Sequence, residues 1–185
     1  MEEPPDAGGV IRVTVAVRTP GGGSDSAILD GVSVPAPNRA SNYTPLSEAD
    51  DVRWARFGQS ERVNFPTLLG FVVEEVRLDY CRMRLPFRTE LLQGGGIVHG
   101  GAISALLDTV VVPAVGSALD QSFRYATVDL HVQFLSAVKH EDVVAEGWVT
   151  KRGRTVVFCE SEAFGATTGR LVAKSVLTYN VSRGE

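Results

Sequence analysis

Cysteine is scarce in this chain: there are two in 185 residues, Cys81 and Cys159, and both fall in stretches that read as strands. A disulfide framework is therefore excluded as a source of stability, and reduced, buried thiols are expected. Histidine is also scarce. His99, His131 and His140 form no HExxH pattern and stand beside no cysteine pair, so no metal site is expected, and His131 and His140 lack the spacing of a catalytic dyad. No apolar run reaches the roughly 20 residues of a membrane span. The opening Met1-Glu2-Glu3-Pro4-Pro5-Asp6 is acidic where a leader peptide is basic, so a cytoplasmic protein is expected. Basic charge is not in excess either: 18 Lys and Arg against 22 Asp and Glu leave a net charge of −4, which removes nucleic acid as the main partner. The triglycine Gly94-Gly95-Gly96 is followed by no Gly-Lys-Ser/Thr and lacks the dinucleotide spacing, so it is not a nucleotide loop.

What is present is enough apolar residue, 44 % of the chain, to fill one core. Composition divides the chain near Pro45. Residues 1–45 hold most of the prolines, Gly21-Gly22-Gly23 and few aromatics, and read as a flexible tail; residues 46–185 read as the folded domain. Within the tail, the β-branched alternation over 10–17 is compatible with a strand on an exposed edge.

In the folded part a short helix is expected over 48–57, with Ser47 as N-cap and acids in the first turn, packing through Val52, Trp54 or Phe57. Strands are expected over 68–75 and 77–86, then a long apolar helix over 99–119. Four alternating runs follow: 126–138, 142–151, 154–166 and 170–181. In the first of them Val128, Leu130, Val132 and Phe134 share one face, while Thr127, Asp129, His131 and Gln133 share the other. Short turns between the runs imply antiparallel neighbours. The fold class is thus α+β, with an antiparallel sheet large enough to wrap one central helix.

The most informative stretch joins that helix to the glycines before it. The first turn of a helix offers unpaired N–H groups and the positive end of a dipole, and Gly100 and Gly101 carry no side chains to keep a ligand away from them. An oxyanion can sit there. Asp108, on the same helix, lies among Ala105, Leu106, Leu107, Val110, Val111 and Val112, where an unpaired carboxylate costs several kcal/mol, so it is kept for chemistry or for a specific partner. At about 1.5 Å rise per residue, Gly100 and Asp108 stand roughly 12 Å apart along the axis. If both act on one carbonyl, the acid comes from a second copy with its helix antiparallel, as a two-fold dimer provides. Pro113 deletes the hydrogen bond to the carbonyl of Thr109, and either kinks the helix or bends it where it ends near Gly116.

Leu91-Leu92-Gln93-Gly94-Gly95-Gly96-Ile97-Val98-His99-Gly100-Gly101, Ala105-Leu106-Leu107-Asp108-Thr109, the run from Thr127 to Leu135, and Arg152-Gly153-Arg154 together resemble the hotdog-fold acyl-CoA thioesterases of the phenylacetate-degradation (PaaI-like) type. The resemblance implies a hotdog fold, an acyl-CoA substrate with coenzyme A as part of it and no separate cofactor, and a homodimer or dimer of dimers. It places carbonyl polarisation on the Gly100 N–H and the general base or nucleophile on Asp108 of the partner chain. Thr127 positions that acid or its water, and His99 orients the glycine turn. At Gln93 many members carry asparagine; glutamine holds the substrate carbonyl in other hotdog thioesterases. Arg152 and Arg154 are candidates for the coenzyme A phosphates, since guanidiniums beside a glycine turn can grip phosphate bidentately, with Lys139 and Lys151 behind them.

Two other readings were weighed. A hotdog hydratase or dehydratase needs a paired aspartate and histidine whose usual spacing is missing here. A non-catalytic acyl-CoA-binding regulator should carry a DNA-binding helix pair and lose the acid, whereas no helix pair is evident before Pro45 and Asp108 is present.

Overall fold

Period-two alternation in the C-terminal half resolves into four long strands: β5 (Phe123–Phe134), β6 (Val143–Arg152), β7 (Val156–Gly165) and β8 (Leu171–Arg183). The computed structural model describes residues 35–57 and 63–184, and, in a unit of its own, two strands at Thr14–Arg18 (β1) and Ser24–Ile28 (β2). With β3 (Val72–Arg77) and β4 (Tyr80–Leu85) the four strands make a six-stranded, wholly antiparallel sheet of order β3-β4-β6-β7-β8-β5. The sheet wraps the central helix as expected, which is the hotdog arrangement.

That helix is in two pieces, α3 (Gly100–Thr109) and α4 (Val111–Gly116), with the break at Val110. Cys81, Met83, Val143, Ala145, Val157, Cys159, Leu177 and Tyr179 from the sheet meet Leu106, Leu107, Val110 and Val111 from the helix in one core. Gly147 on β6 permits the closest approach: a Cβ there would stand 2.9 Å from both Val110 Cγ1 and Val111 Cγ2. A strand glycine marks such a contact between backbone and a neighbouring element.

Two β-bulges alter the faces read from the sequence. Val128 is an extra residue between the pairs Thr127↔Tyr179 and Asp129↔Thr178. The period shifts there, so Thr127 faces the helix together with Leu130, Val132 and Phe134, and not opposite to them. Thr150 is the second extra residue, between Val149↔Cys159 and Lys151↔Phe158, and it turns Arg152 inward beside buried Val157.

The N-terminal elements also differ in detail. α1 (Glu48–Ala55) begins as expected, with the Ser47 Oγ accepting from the Asp50 N–H at 3.2 Å, and it buries Trp54 while Val52 stays exposed. Phe65–Leu69 is a short helix, α2, capped by Asn64 and closed by Gly70 at φ +74, so the strand expected over 68–75 begins only at Val72. The strands that follow turn at Asp79. Part of the 10–17 run is strand β1, paired with β2 in a two-stranded sheet of its own.

The packed unit begins at Pro35, earlier than the boundary expected at residue 45. A buried acid draws that segment in. Glu146 points to the outer face of β6 yet is 0 % exposed, and its Oε1 accepts from the Arg39 N–H at 2.8 Å, the Tyr80 hydroxyl at 2.7 Å and Arg82 Nη1 at 3.3 Å. Arg39 also pairs with Glu146 Oε2 and with Glu162, and lies over the Trp148 ring, while Tyr43 stacks on Tyr80 at 4.7 Å. The remainder of the expected tail, outside β1 and β2, lies outside the described residues. Removing one member of a buried ionic cluster leaves uncompensated charge. Glu146→Gln is therefore expected to destabilise by about 3 kcal/mol in urea unfolding and to open residues 35–45 to protease. An unmoved midpoint would make these contacts equivalent to solvated surface pairs.

Candidate active site

Residues 91–99 form a closed loop that delivers the helix start. The Leu92–Val98 bridge ties its ends, Gln93 N–H donates to Ile97 O at 2.9 Å, and Gly96 turns the chain at φ +72. Val98 N–H is anchored to Val138 O at 2.8 Å, the segment between β5 and β6. His99 is the N-cap of α3: its Nδ1 accepts from the Gly101 N–H at 2.8 Å. Gly100 N–H is left without a hydrogen bond among the described residues. It opens on a cleft of about 270 Å³ lined by Ile97, Gly100, Ile103, Phe134, Leu135 and Ala137. A Cβ on Gly100 would stand 3.1 Å from the Phe134 ring. The helix start thus carries an unpaired donor on a residue that lines an apolar cleft.

Gln93 is placed in the same loop but turned upon itself, since its Oε1 accepts from the Gly95 N–H at 2.6 Å. Its carbonyl oxygen is engaged there; the amide Nε2 is the atom left to donate.

Asp108, near the end of α3, is half-buried and its carboxylate is met by two hydroxyls from the sheet. Thr127 Oγ1 donates to Oδ1 at 2.7 Å. The Tyr179 hydroxyl lies 3.0 Å from the Asp108 main-chain oxygen and 3.3 Å from the same Oδ1. Thr127 and Tyr179 are cross-strand partners on β5 and β8, so the bulge at Val128 brings both to one point. The sequence reading found Thr127 but not Tyr179. A tyrosine in an alternating apolar run signals core, and its register against Thr127 is a property of the pairing. Burial first, and then the Asp108 charge, push the Tyr179 phenol well above its ordinary value, so it remains a donor.

Arg152 is not on the exposed turn. Its Nη2 pairs with Asp79 and donates to Val115 O at 3.1 Å, at the C-terminal end of α4, where a cation complements the helix dipole. Asp79 N–H donates in turn to Ser117 Oγ at 2.8 Å, which stitches the helix end to the β3–β4 turn. Arg154, Lys151 and Lys139 are exposed. Both cysteines are buried and unpaired with each other; burial pushes the Cys159 thiol up to about 12, which keeps it from serving as a nucleophile. Among the described residues, no group of three or more His, Cys, Asp or Glu side chains is placed to hold a metal. No helix among them is long and apolar enough to cross a membrane.

The family model of the thioesterase superfamily matches residues 95–172, from the glycine loop to the start of β8. The protein named "Putative esterase SSO1253" of Saccharolobus solfataricus is 30 % identical over 142 residues, which span 77 % of this chain and 91 % of that one. The chain belongs to the thioesterase superfamily. It is a thioester hydrolase by that membership, and the matched region holds Gly100, Asp108 and Thr127. Human acyl-coenzyme A thioesterase 13 is 29 % identical over 95 residues, 51 % of this chain and 66 % of its own length. Among solved structures of similar fold, a thioesterase family protein from Silicibacter pomeroyi superposes with a TM-score of 0.66 at 24 % identity, covering 75 % of this chain and 100 % of that chain. A conserved protein of Pseudomonas aeruginosa, PA5202, superposes with a TM-score of 0.63 at 25 % identity, covering 69 % of this chain and 99 % of its own. The superfamily's sheet and helix are thus shared well beyond the sequence likeness.

Proposed function

We propose that this superfamily member hydrolyses an acyl-CoA thioester to the free acid and coenzyme A, at sites shared between two copies of the chain. The observation that carries the reading is the pair on α3: an unpaired Gly100 N–H at its start and a hydroxyl-held Asp108 carboxylate near its end. The likeness to human acyl-coenzyme A thioesterase 13 supports the substrate class. The Gly100 N–H donates a hydrogen bond to the thioester oxygen and stabilises the charge that develops there. Asp108 takes a proton from water as the water attacks the carbonyl carbon; the tetrahedral intermediate then expels the coenzyme A thiolate, which receives that proton from Asp108. Thr127 holds the carboxylate in place, and Gln93 Nε2 is a second donor for the substrate.

Within one chain the two groups are separated by roughly 12 Å along the helix, at about 1.5 Å per residue. A second copy closes that gap. β5 is an edge strand of the sheet, and it and the residue after it leave Val128 62 %, Phe134 54 % and Leu135 51 % exposed. A long edge strand with apolar side chains is a surface that associates. Arg154, with Lys139 and Lys151, takes the coenzyme A phosphates in this reading, because Arg152 is committed to the end of α4. A cytoplasmic location accompanies that substrate.

The test is release of free thiol from acetyl-, phenylacetyl-, benzoyl-, hexanoyl- and palmitoyl-CoA, run alongside sedimentation. Turnover of at least one by a dimer or larger assembly is expected, with the best substrate reporting the acyl preference. Binding without thiol release would assign the chain to acyl-CoA sensing, and an active monomer would remove the shared site.

A further inference from the structure

The junction between α3 and α4 follows Asp108 closely, and two carbonyls just before it meet hydroxyls of the sheet. Pro113 has no N–H for the carbonyl of Thr109, so the helix ladder lacks that one bond, and α3 closes at Thr109. The sheet supplies hydroxyl donors at this point. Ser161 Oγ donates to Leu107 O at 2.9 Å and is itself paired with Ser175 Oγ at 2.7 Å; the Tyr179 hydroxyl meets Asp108 O at 3.0 Å. All three side chains come from helix-facing positions of β7 and β8, buried in the core.

Tyr179 differs from Ser161 in one respect: its hydroxyl also reaches the Asp108 side chain, 3.3 Å from Oδ1, the oxygen already held by Thr127 at 2.7 Å. Both donors therefore converge on Oδ1. Among the described residues none donates to Oδ2. From this asymmetry we infer that Tyr179 is a positioning residue, which locks the backbone and the carboxylate of Asp108 together at the helix break and so fixes Oδ2 as the oxygen that takes the proton from water. The inference rests on the reading that Asp108 is the catalytic base.

The experiment compares Tyr179→Phe, Ser161→Ala and Asp108→Asn in the full chain, using the acyl-CoA of the panel that the wild type hydrolyses fastest. Tyr179→Phe is expected to lower kcat by about 10- to 100-fold, the range of one lost hydrogen bond to a charged group, with KM within about two-fold. Ser161→Ala removes a neighbouring carbonyl partner without touching the carboxylate, and is expected to lower the melting temperature while keeping kcat within about two-fold. A Tyr179→Phe enzyme with wild-type kcat, or a kcat loss that Ser161→Ala matches, would overturn the role of Tyr179. Asp108→Asn separates the two levels: if it keeps activity, the assignment of the acid fails, whereas a dead Asp108→Asn beside an unaffected Tyr179→Phe refutes the present inference alone.

Discussion

Asp108→Asn is expected to lower kcat for acyl-CoA hydrolysis by about 100- to 10,000-fold, the range lost with a positioned acid or base. The substitution is nearly isosteric. An amide oxygen in place of Oδ1 still accepts from Thr127 Oγ1 and the Tyr179 hydroxyl, so the junction between α3 and α4 keeps its partners. What is lost is a site able to take the proton from water, because an amide is not basic near neutral pH. Stability should change little by comparison, and a urea titration beside the thiol-release assay separates the two effects. A variant with near-normal kcat would remove Asp108 from the chemistry and leave it as a half-buried acid satisfied by two hydroxyls.

Gly100→Pro is the complementary experiment, and the local backbone makes it selective. Proline is well tolerated at the first position of a helix, where the N–H has no helical partner to lose. The residue before a proline must be extended, and His99 already lies at φ −62, ψ 132. The ring would press on Phe134, 3.1 Å from an added Cβ, but the atom met is the far end of that side chain, which has to give by only a few tenths of an ångström. The substitution thus deletes the backbone donor proposed to hold the thioester oxygen while preserving α3. A kcat loss of about 100- to 1,000-fold is expected, as for removal of an oxyanion-hole donor. Mixing this variant with Asp108→Asn then tests the shared site. If Gly100 and Asp108 act across two chains, randomly mixed dimers regain about one quarter of wild-type sites; if they act within one chain, nothing is regained.

Much of this molecule was legible from local pattern. The glycine loop and the apolar helix after it announced the helix start, because a cap, an absent side chain and a 3.6-residue period are properties of a few consecutive residues. The same holds for the long strands β6, β7 and β8, whose alternation survives almost to their ends. Leu68 and Leu69 were misread as the start of a strand, since the short apolar run Phe65–Leu69 carries no helical period and only the Asn64 cap and Gly70 reveal a turn of helix. The placement of Arg152 escaped for a different reason: one added residue at Thr150 exchanges the directions of Lys151 and Arg152.

By itself, then, the sequence determined the order of elements, the antiparallel connections and the placing of an anion-accepting helix start and an acid on one helix, all of which follow from short-range sterics and periodicity. Tertiary structure alone decided what surrounds them. Which face Thr127 presents depends on the bulge at Val128, and Tyr179 meets Asp108 because β8 is registered against β5 at Thr127. Segment 35–45 is held by Glu146 on a distant strand. Register and bulges are set by the balance of packing over a whole sheet, and a shift of one residue turns every later side chain to the other face, so no local stretch of sequence encodes them.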